Sequence, residues 1–285
     1  MKPRVRLLVT DLDNTLYDWV TFFATSFMEM VEAATRILAA DKEKLLDDLR
    51  LVHRKYHNSE HPFALLETDT VRSTLVGATP EQCADRLNEA FHAFNSARKR
   101  TLRLYPSVLE TLTELSAQGV RIVAHTEATV TNAQFRLSKL GIAKFIDRLY
   151  ALEHVGEHPR AAGAEIVAGV KNVRLIRHDE RKPDPRVLRD ISRDTQTPLN
   201  EILYVGDSIV RDIGMAKEAG AWAAWAKYGT EFAPEHWRTL VRVTHWTSED
   251  IARSETDKRR LGNAHPDQVL DTFSDILHHF DFEHI

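Results

Sequence analysis

Near the start of the chain the run Val5-Arg6-Leu7-Leu8-Val9-Thr10 leads directly into Asp11-Leu12-Asp13-Asn14-Thr15-Leu16. A short, mostly apolar run of this kind predicts a strand covered on both faces, as in a parallel sheet. Two carboxylates separated by one residue at its end are costly to bury unless something compensates them. Open α/β sheets place ligands at the carboxyl ends of their strands, so the stretch predicts a cation and phosphate site at that point. A polar turn or a helix cap is the plainer explanation of the acid pair taken alone, and the rest of the chain decides between them.

The segments that follow repeat the theme after an interruption. Trp19 to about Ala40 carries Val20, Phe23, Phe27, Met30, Val31, Ala34, Ile37 and Leu38 at helical spacing. Asp41 is placed to cap a second helix to about Tyr56, and Thr79-Pro80-Glu81-Gln82 combines a capping box with a first-turn proline for a third, whose apolar face is Leu87, Ala90, Phe91 and Phe94. From Asp18 to Arg103 only helices are expected. Strand and helix then alternate: a helix over Ser107–Gln118, a strand over Val120–Thr126, a helix over Thr129–Leu140, short strands at Arg148–Leu152 and Val173–Ile176, a helix from Pro185 to about Thr195, a strand from Glu201 to Gly206 ending in Asp207, a helix over Val210–Ala219 and a strand over Trp222–Ala226. Between Leu152 and Val173, Gly156-Glu157-His158-Pro159 precedes a small-residue helix around Ala161–Val167. In the tail, Val241-Arg242-Val243 suggests an edge strand, Ser248–Asn263 an exposed charged loop, and His265–Phe280 an amphipathic closing helix. The expected fold is α/β: a Rossmann-like three-layer α/β/α core with a mainly parallel sheet over 1–17 and 104–285, and an inserted α-helical cap domain over 18–103.

Composition narrows the function. With 285 residues, 43% of them hydrophobic, the chain is long enough for a sizeable core. A formal charge of −4 gives no footprint for nucleic acid or an anionic membrane surface, which leaves small anions as expected partners and the oligomeric state open. The single cysteine, Cys83, excludes an internal disulfide framework and a cysteine-rich zinc site. The first apolar run breaks at Asp11, too early for a signal peptide, and no later run has the length of a membrane helix. A reducing, cytoplasmic setting is expected.

Three apolar strands thus end in functional groups: Asp11 and Asp13, then Thr126, then Asp207. Arg181-Lys182-Pro183-Asp184-Pro185 adds a lysine just before a helix. In a parallel sheet all strand ends lie along one edge, so these side chains can converge. Carboxylate ligands suit Mg²⁺, which bridges to substrate phosphate, and a carboxylate can also act as nucleophile while a second acid protonates the leaving oxygen.

With these residues in place the chain resembles the haloacid dehalogenase superfamily of Mg²⁺-dependent phosphotransferases, in its phosphatase branch with a helical cap between the first and second motifs. Asp11-Leu12-Asp13-Asn14-Thr15-Leu16 is similar to the first motif, Thr126 to the second, Lys182 in Lys182-Pro183-Asp184-Pro185 to the third, and Gly206-Asp207-Ser208-Ile209-Val210-Arg211-Asp212 to the fourth. The resemblance implies that Asp11 is nucleophile and metal ligand. Asp13 becomes the acid/base, with its backbone carbonyl on the metal. Thr126 would hold the transferring phosphoryl and Lys182 would neutralise charge. Asp207 would ligate the metal, Asp212 would support it through water or Lys182, and Thr15 would hold the loop. Glu127 departs from the pattern, standing where the family often has asparagine, and the stretch between Thr126 and Lys182 is longer than a minimal core needs.

The expected function is hydrolysis of a small phosphorylated metabolite, of the sugar phosphate, phosphoglycolate or nucleoside monophosphate class, through an aspartyl-phosphate. A phosphomutase shares every core motif. A 2-haloacid dehalogenase is disfavoured because members of that branch lack an acid equivalent to Asp13, and a noncatalytic phospho-receiver would lack the helical insertion. Tyr17, Asp18 and Trp19, at the entry to the insertion, are candidates to line a substrate pocket, and for Trp19 a place in the core is the equal alternative. His125 is expected to be packed or hydrogen-bonded rather than catalytic, and His154, His158 and His178, with no ligand spacing, are expected on the surface.

Overall fold

The first strand is central because its neighbours arrive on both sides of it. The computed structural model describes residues 2–61, 63–153 and 169–283. Its strands are β1 (Arg4–Val5), β2 (Leu7–Thr10), β3 (Arg121–Thr129), β4 (Arg148–Leu152), β5 (Asn172–Ile176), β6 (Ile202–Gly206), β7 (Trp222–Ala226), β8 (Gln268–Leu270) and β9 (Asp281–Phe282). Seven of them form one sheet in the order β5-β4-β3-β2-β6-β7-β8, every pairing parallel. All four residues of β2 are buried, as an apolar run covered on both faces requires. The chain runs from β2 outward through β3 to β5 and then returns to β6 on the other side, so the switch in strand order falls at β2.

The segment that leaves the sheet after β2 carries the helices α1 (Trp19–Leu38), α2 (Lys42–Tyr56), α3 (Asp69–Thr74), α4 (Pro80–Arg86) and α5 (Asn88–Thr101) before the chain returns at Leu104. Asp18 caps α1 by accepting from Thr21 N–H at 2.9 Å, Asp41 caps α2, and Thr79 and Gln82 complete the expected capping box of α4. The single third helix expected from Thr79 onward is two, because the chain turns out of helical geometry at the fully buried Leu87. Tyr17 pairs with both Asp13 and Leu104, which brings the two crossings between insertion and sheet side by side.

The sheet is flanked by α6 (Val108–Ala117), α7 (Val130–Lys139), α8 (Arg186–Thr195) and α9 (Met215–Ala219). Three tail expectations are corrected. Val241–Val243 ends a helix, α10 (Pro234–Val243), whose buried Val243 lies one turn after the partly buried Leu240, and α10 packs on α1 and α2. Ser248–Asn263 is largely α11 (Ser248–Leu261), in which Arg260 pairs with Asp257 one turn back, and Leu261 lies so close to Gly214 that a Cβ on that glycine would come within 2.8 Å. His265–Phe280 divides into the edge strand β8 and the short helix α12 (Asp275–His279), with Leu270, Phe273, Ile276 and Phe280 buried. The small-residue helix expected around Ala161–Val167 lies outside the described residues. Among the described residues no helix is long and apolar enough to cross a membrane.

Candidate active site

Register fixes which residues meet at the carboxyl edge of the sheet. Thr10 stands opposite Ala124 of β3 and Val205 of β6, so Asp11 emerges level with His125 and Gly206, one residue before Asp207. Asp11 N–H donates to Val205 O at 2.8 Å, which extends the ladder to the first carboxylate. The loop beyond it is closed on itself. Asn14, at φ 58°, donates its N–H to Tyr17 O at 2.9 Å, while its Oδ1 accepts from Trp19 and Val20 N–H at 3.2 Å each. Tyr228 donates to Thr15 O at 2.7 Å, and Gly229 passes so close that a Cβ would stand 1.7 Å from Asn14 O. Thr15 therefore belongs to the held loop, Asp18 is a helix cap and Trp19 stacks on Phe23.

Lys182 reaches this edge from the loop before α8. Its buried ammonium donates to Asp11 Oδ1 at 2.6 Å and Asp212 Oδ1 at 2.7 Å. Asp212, 1% exposed, sits in a π-helical turn over Ile209–Gly214 and accepts from Ser208 N–H at 3.0 Å. The turn fits because residue 206 is glycine: a Cβ there would lie 2.3 Å from Asp212 Cγ. Asp11, Asp207 and Asp212 each offer a carboxylate oxygen, all within 4.8 Å of one another. Oxygen donors with excess negative charge suit a hard divalent cation.

Electrostatics marks the cluster as the place where ionisation is contested. Burial pushes Asp11 from 3.8 up to about 7 against the pull of Lys182, with Asp212 and Asp13 adding to the rise. Burial likewise lifts Asp207 well above the carboxylate range, reinforced by Asp212 and Asp11. Burial works against a charged Lys182, yet Asp11 and Asp212 hold it well above its ordinary value. Behind Asp212, Tyr204 donates to Oδ1 at 3.3 Å and meets His125 Nδ1 at 3.2 Å. With the tyrosine proton given to Asp212, His125 must donate from Nδ1, and burial together with Lys182 and Arg211 keeps it neutral. His125 is thus a buried partner in a hydrogen-bonded chain, as its strand position predicts, and His178 is exposed, while His154 and His158 lie outside the described residues.

The remaining expected groups are placed differently. Thr126 is buried at a bulge in β3, where its Oγ1 accepts from Ala128 N–H at 3.1 Å. Glu127 pairs with Arg211, so the departure from the usual residue is matched by a cation on the neighbouring loop. Asp13 turns its carboxylate away from the metal-type cluster and accepts from Arg136 Nη1 at 2.7 Å. Burial raises Asp13, opposed by Arg136 and helped by Glu60. Arg136 is fully buried and also donates to Glu60 of the helical insertion.

Arg136 and Tyr204 escape a search for strand-end motifs because they lie on a helix and inside a strand. Arg136 leaves one trace in the sequence: it shares the face of Ala133, Leu137 and Leu140, where an arginine must find acidic partners if buried. Trp225, whose Nε1 donates to Asp207 O at 2.7 Å, leaves none.

Comparison with known proteins bears on the family and the fold. The haloacid dehalogenase-like hydrolase family model matches residues 5–220, and a second model of that group matches 180–276. The chain is similar to the phosphoglycolate phosphatase of Vibrio parahaemolyticus, 27% identical over 284 residues that cover 96% of this chain and 95% of that one. It is also similar to the glyceraldehyde 3-phosphate phosphatase of Methanopyrus kandleri, 25% identical over 222 residues, 76% of this chain and 81% of the other. In fold it resembles the 2-haloacid dehalogenase of Pseudomonas syringae pv. Tomato, with a TM-score of 0.58 and 16% identity over 96% of this chain and 97% of that one. Motif order, sheet topology and a family match spanning most of the chain lead to one conclusion: the chain belongs to the haloacid dehalogenase-like hydrolases.

Proposed function

We propose that the protein is a Mg²⁺-dependent phosphate monoester hydrolase acting on a small phosphorylated metabolite. The observation that carries this is the convergence of Asp11, at the end of β2, with Asp207 and Asp212, from the segment after β6, around one buried lysine. Asp11, Asp207 and Asp212, with the Asp13 carbonyl, would hold Mg²⁺, which supplies neutralisation of phosphoryl charge when bound. Asp11 then attacks phosphorus as nucleophile. Lys182 favours its ionised form and balances charge as the phosphoryl group is transferred. Asp13 protonates the departing oxygen and afterwards takes a proton from the water that hydrolyses the aspartyl-phosphate. Thr126 contributes its hydroxyl to the phosphoryl oxygens. Helices α1 to α5 act as a cap that selects the leaving group and excludes bulk water during transfer.

Phosphoglycolate and glyceraldehyde 3-phosphate, substrates named for two relatives, head the panel of phosphomonoesters to assay, with sugar phosphates and nucleoside monophosphates beside them. With Mg²⁺ present, Asp11→Asn should lower kcat by ~10³-fold or more on every substrate of the panel. Retention of activity close to the parent enzyme would remove Asp11 as nucleophile.

A further inference from the structure

A chain of contacts runs from the tail of the protein, through the helical insertion, to Asp13. His245, just beyond α10, donates its N–H to Ser59 Oγ at 3.1 Å, and Ser59 Oγ lies 2.9 Å from His245 Nδ1. Ser59 sits in the loop after α2, and the next residue, Glu60, is set by its N–H donating to Asn58 Oδ1 at 2.8 Å. Glu60 accepts from Arg136 Nη2, and Arg136 Nη1 donates to Asp13 Oδ1 at 2.7 Å. The guanidinium lies over the Phe22 ring at 5.4 Å and the Tyr17 ring at 5.9 Å, with no exposed surface. Phe22 also carries Arg98 at 5.6 Å, so the insertion brings both aromatic and acidic contacts to the cluster.

A single acid would suffice to keep a buried arginine from being unpaired. Here the two acids belong to different bodies of the fold, one to the insertion and one to the catalytic loop. A planar fork held at both ends transmits position from one to the other. Asp13 keeps 24% of its side chain exposed, so the hold does not enclose it and room remains for a leaving oxygen.

We propose that Arg136 is a positioning residue for the acid/base Asp13, and that Glu60 makes this positioning depend on the insertion being closed over the sheet edge. The proposal rests on the phosphatase function above, in which Asp13 delivers the proton to the leaving oxygen. Arg136 itself touches neither the phosphoryl group nor the attacking carboxylate. Without Glu60 or Arg136, Asp13 rotates among its rotamers and meets the leaving oxygen less often.

The leaving group supplies the test. An alkoxide needs a proton as it departs, whereas p-nitrophenolate leaves as a stable anion. Activity on the fastest alkyl phosphate of the panel is therefore compared with activity on p-nitrophenyl phosphate, for the wild type, Glu60→Gln, Arg136→Met and Arg136→Lys. With Arg136→Met, kcat on the alkyl ester should fall about 10²-fold, and at least about tenfold further than kcat on the aryl ester, because general acid catalysis contributes on this scale. Glu60→Gln should show the same selectivity with a loss of about tenfold on the alkyl ester, KM should change little, and Arg136→Lys should recover part of the rate. Equal losses on both esters, or losses expressed in KM alone, overturn the proposal and leave the phosphatase function standing. A wild-type protein that turns over no phosphomonoester removes that function and the proposal with it. If Arg136→Met fails to fold, as far-UV circular dichroism would show, the near-isosteric Glu60→Gln decides between the same two outcomes.

Discussion

Removing the buried ammonium of Lys182 is the sharpest single test of the electrostatic description of the site. Lys182 makes two charge-assisted hydrogen bonds, 2.6 Å to Asp11 and 2.7 Å to Asp212, with 3% of its side chain exposed. Lys182→Met keeps much of the aliphatic stem and deletes the charge, which leaves buried carboxylates facing one another. Breaking a buried pair by removing one partner costs about 3–5 kcal/mol. A chain of this size loses about 2 °C of Tm per kcal/mol, which predicts a drop of roughly 6–10 °C. The sign of the pH dependence follows from Asp11. Its folded pKa, about 7 even with Lys182 present, lies above the unfolded value of 3.8, so folding favours the protonated form, and stability rises as pH falls through the folded pKa. Loss of Lys182 lifts that folded value further. The variant should therefore be most destabilised near pH 8 and recover much of the deficit near pH 5.5, where Asp11 accepts a proton. Calorimetric or fluorescence melts of both proteins at the two pH values, in chelator, measure this. A variant that melts within about 2 °C of wild type at pH 8, or one whose deficit is the same at both pH values, refutes the assignment of Lys182 as the countercharge of a buried acidic cluster.

Other expectations follow from neighbouring features. Mg²⁺ at millimolar concentration should raise the wild-type Tm, by the mass-action term of about 3 kcal/mol at a hundredfold excess over Kd, and Asp207→Asn should abolish most of that shift; an equal shift in both proteins would place the metal elsewhere. Gly206→Ala forces a Cβ to 2.3 Å from Asp212 Cγ, so the turn that carries Asp212 must move; kcat should fall by about 10²-fold, because small misplacements of catalytic groups cost that much, and unchanged kinetics would show the turn to be dispensable. His53 is buried with Nδ1 2.7 Å from Val243 O, and burial lowers it from 6.5 to about 4. Its neutral form is the one folding accepts, so its contribution to stability is intact above pH 6.5 and lost as pH falls towards 4, by about 3 kcal/mol in all. His53→Phe should flatten that part of the acid-stability profile, measured by urea unfolding at successive pH values, and an unchanged slope would count against a neutral His53.

How much of this could be read in advance depends on how local the determining forces are. The strand ends were legible because a buried parallel strand has a continuous apolar signature and an acid at its end breaks it; Leu7–Thr10 followed by Asp11 is such a break. The caps at Asp41 and Thr79 were legible for the same reason, since each satisfies backbone donors within three residues. The tail was not. Val241-Arg242-Val243 carries strand-forming residues, yet Pro234 starts a helix there, Leu240 and Val243 one turn apart turn inward, and the helix packs on α1 and α2, partners far away in sequence. Val269 and Leu270 join the sheet because β7 offers an open edge, and nothing within His265–Phe280 announces that edge. Arg136 was hidden by a related difficulty. Its helix is predictable, but its role requires Asp13 and Glu60 to be brought to it from 123 and 76 residues away.

Charge balance connects the legible part of the site with the hidden part. Fully ionised, Asp11, Asp207 and Asp212 place three negative charges against the single positive charge of Lys182, which leaves the two negative charges that one divalent cation offsets. Next to this cluster, Asp13 and Glu60 face Arg136, and Arg98, lowered by burial to about 10, lies near enough to be influenced by both Glu60 and Arg136. Two acids and two guanidiniums balance without any ion. The separation has a chemical consequence. In the proposed function the excess negative charge around Asp11 is what a divalent cation would offset on binding. Asp13, the proposed acid/base, must alternate between protonated and ionised forms during turnover, and its surroundings oppose one another: burial and Glu60 raise it while Arg136 lowers it. Asp11 and Asp13, two residues apart in one loop, thus acquire different environments because the backbone sends the first toward Lys182 and the second toward Arg136.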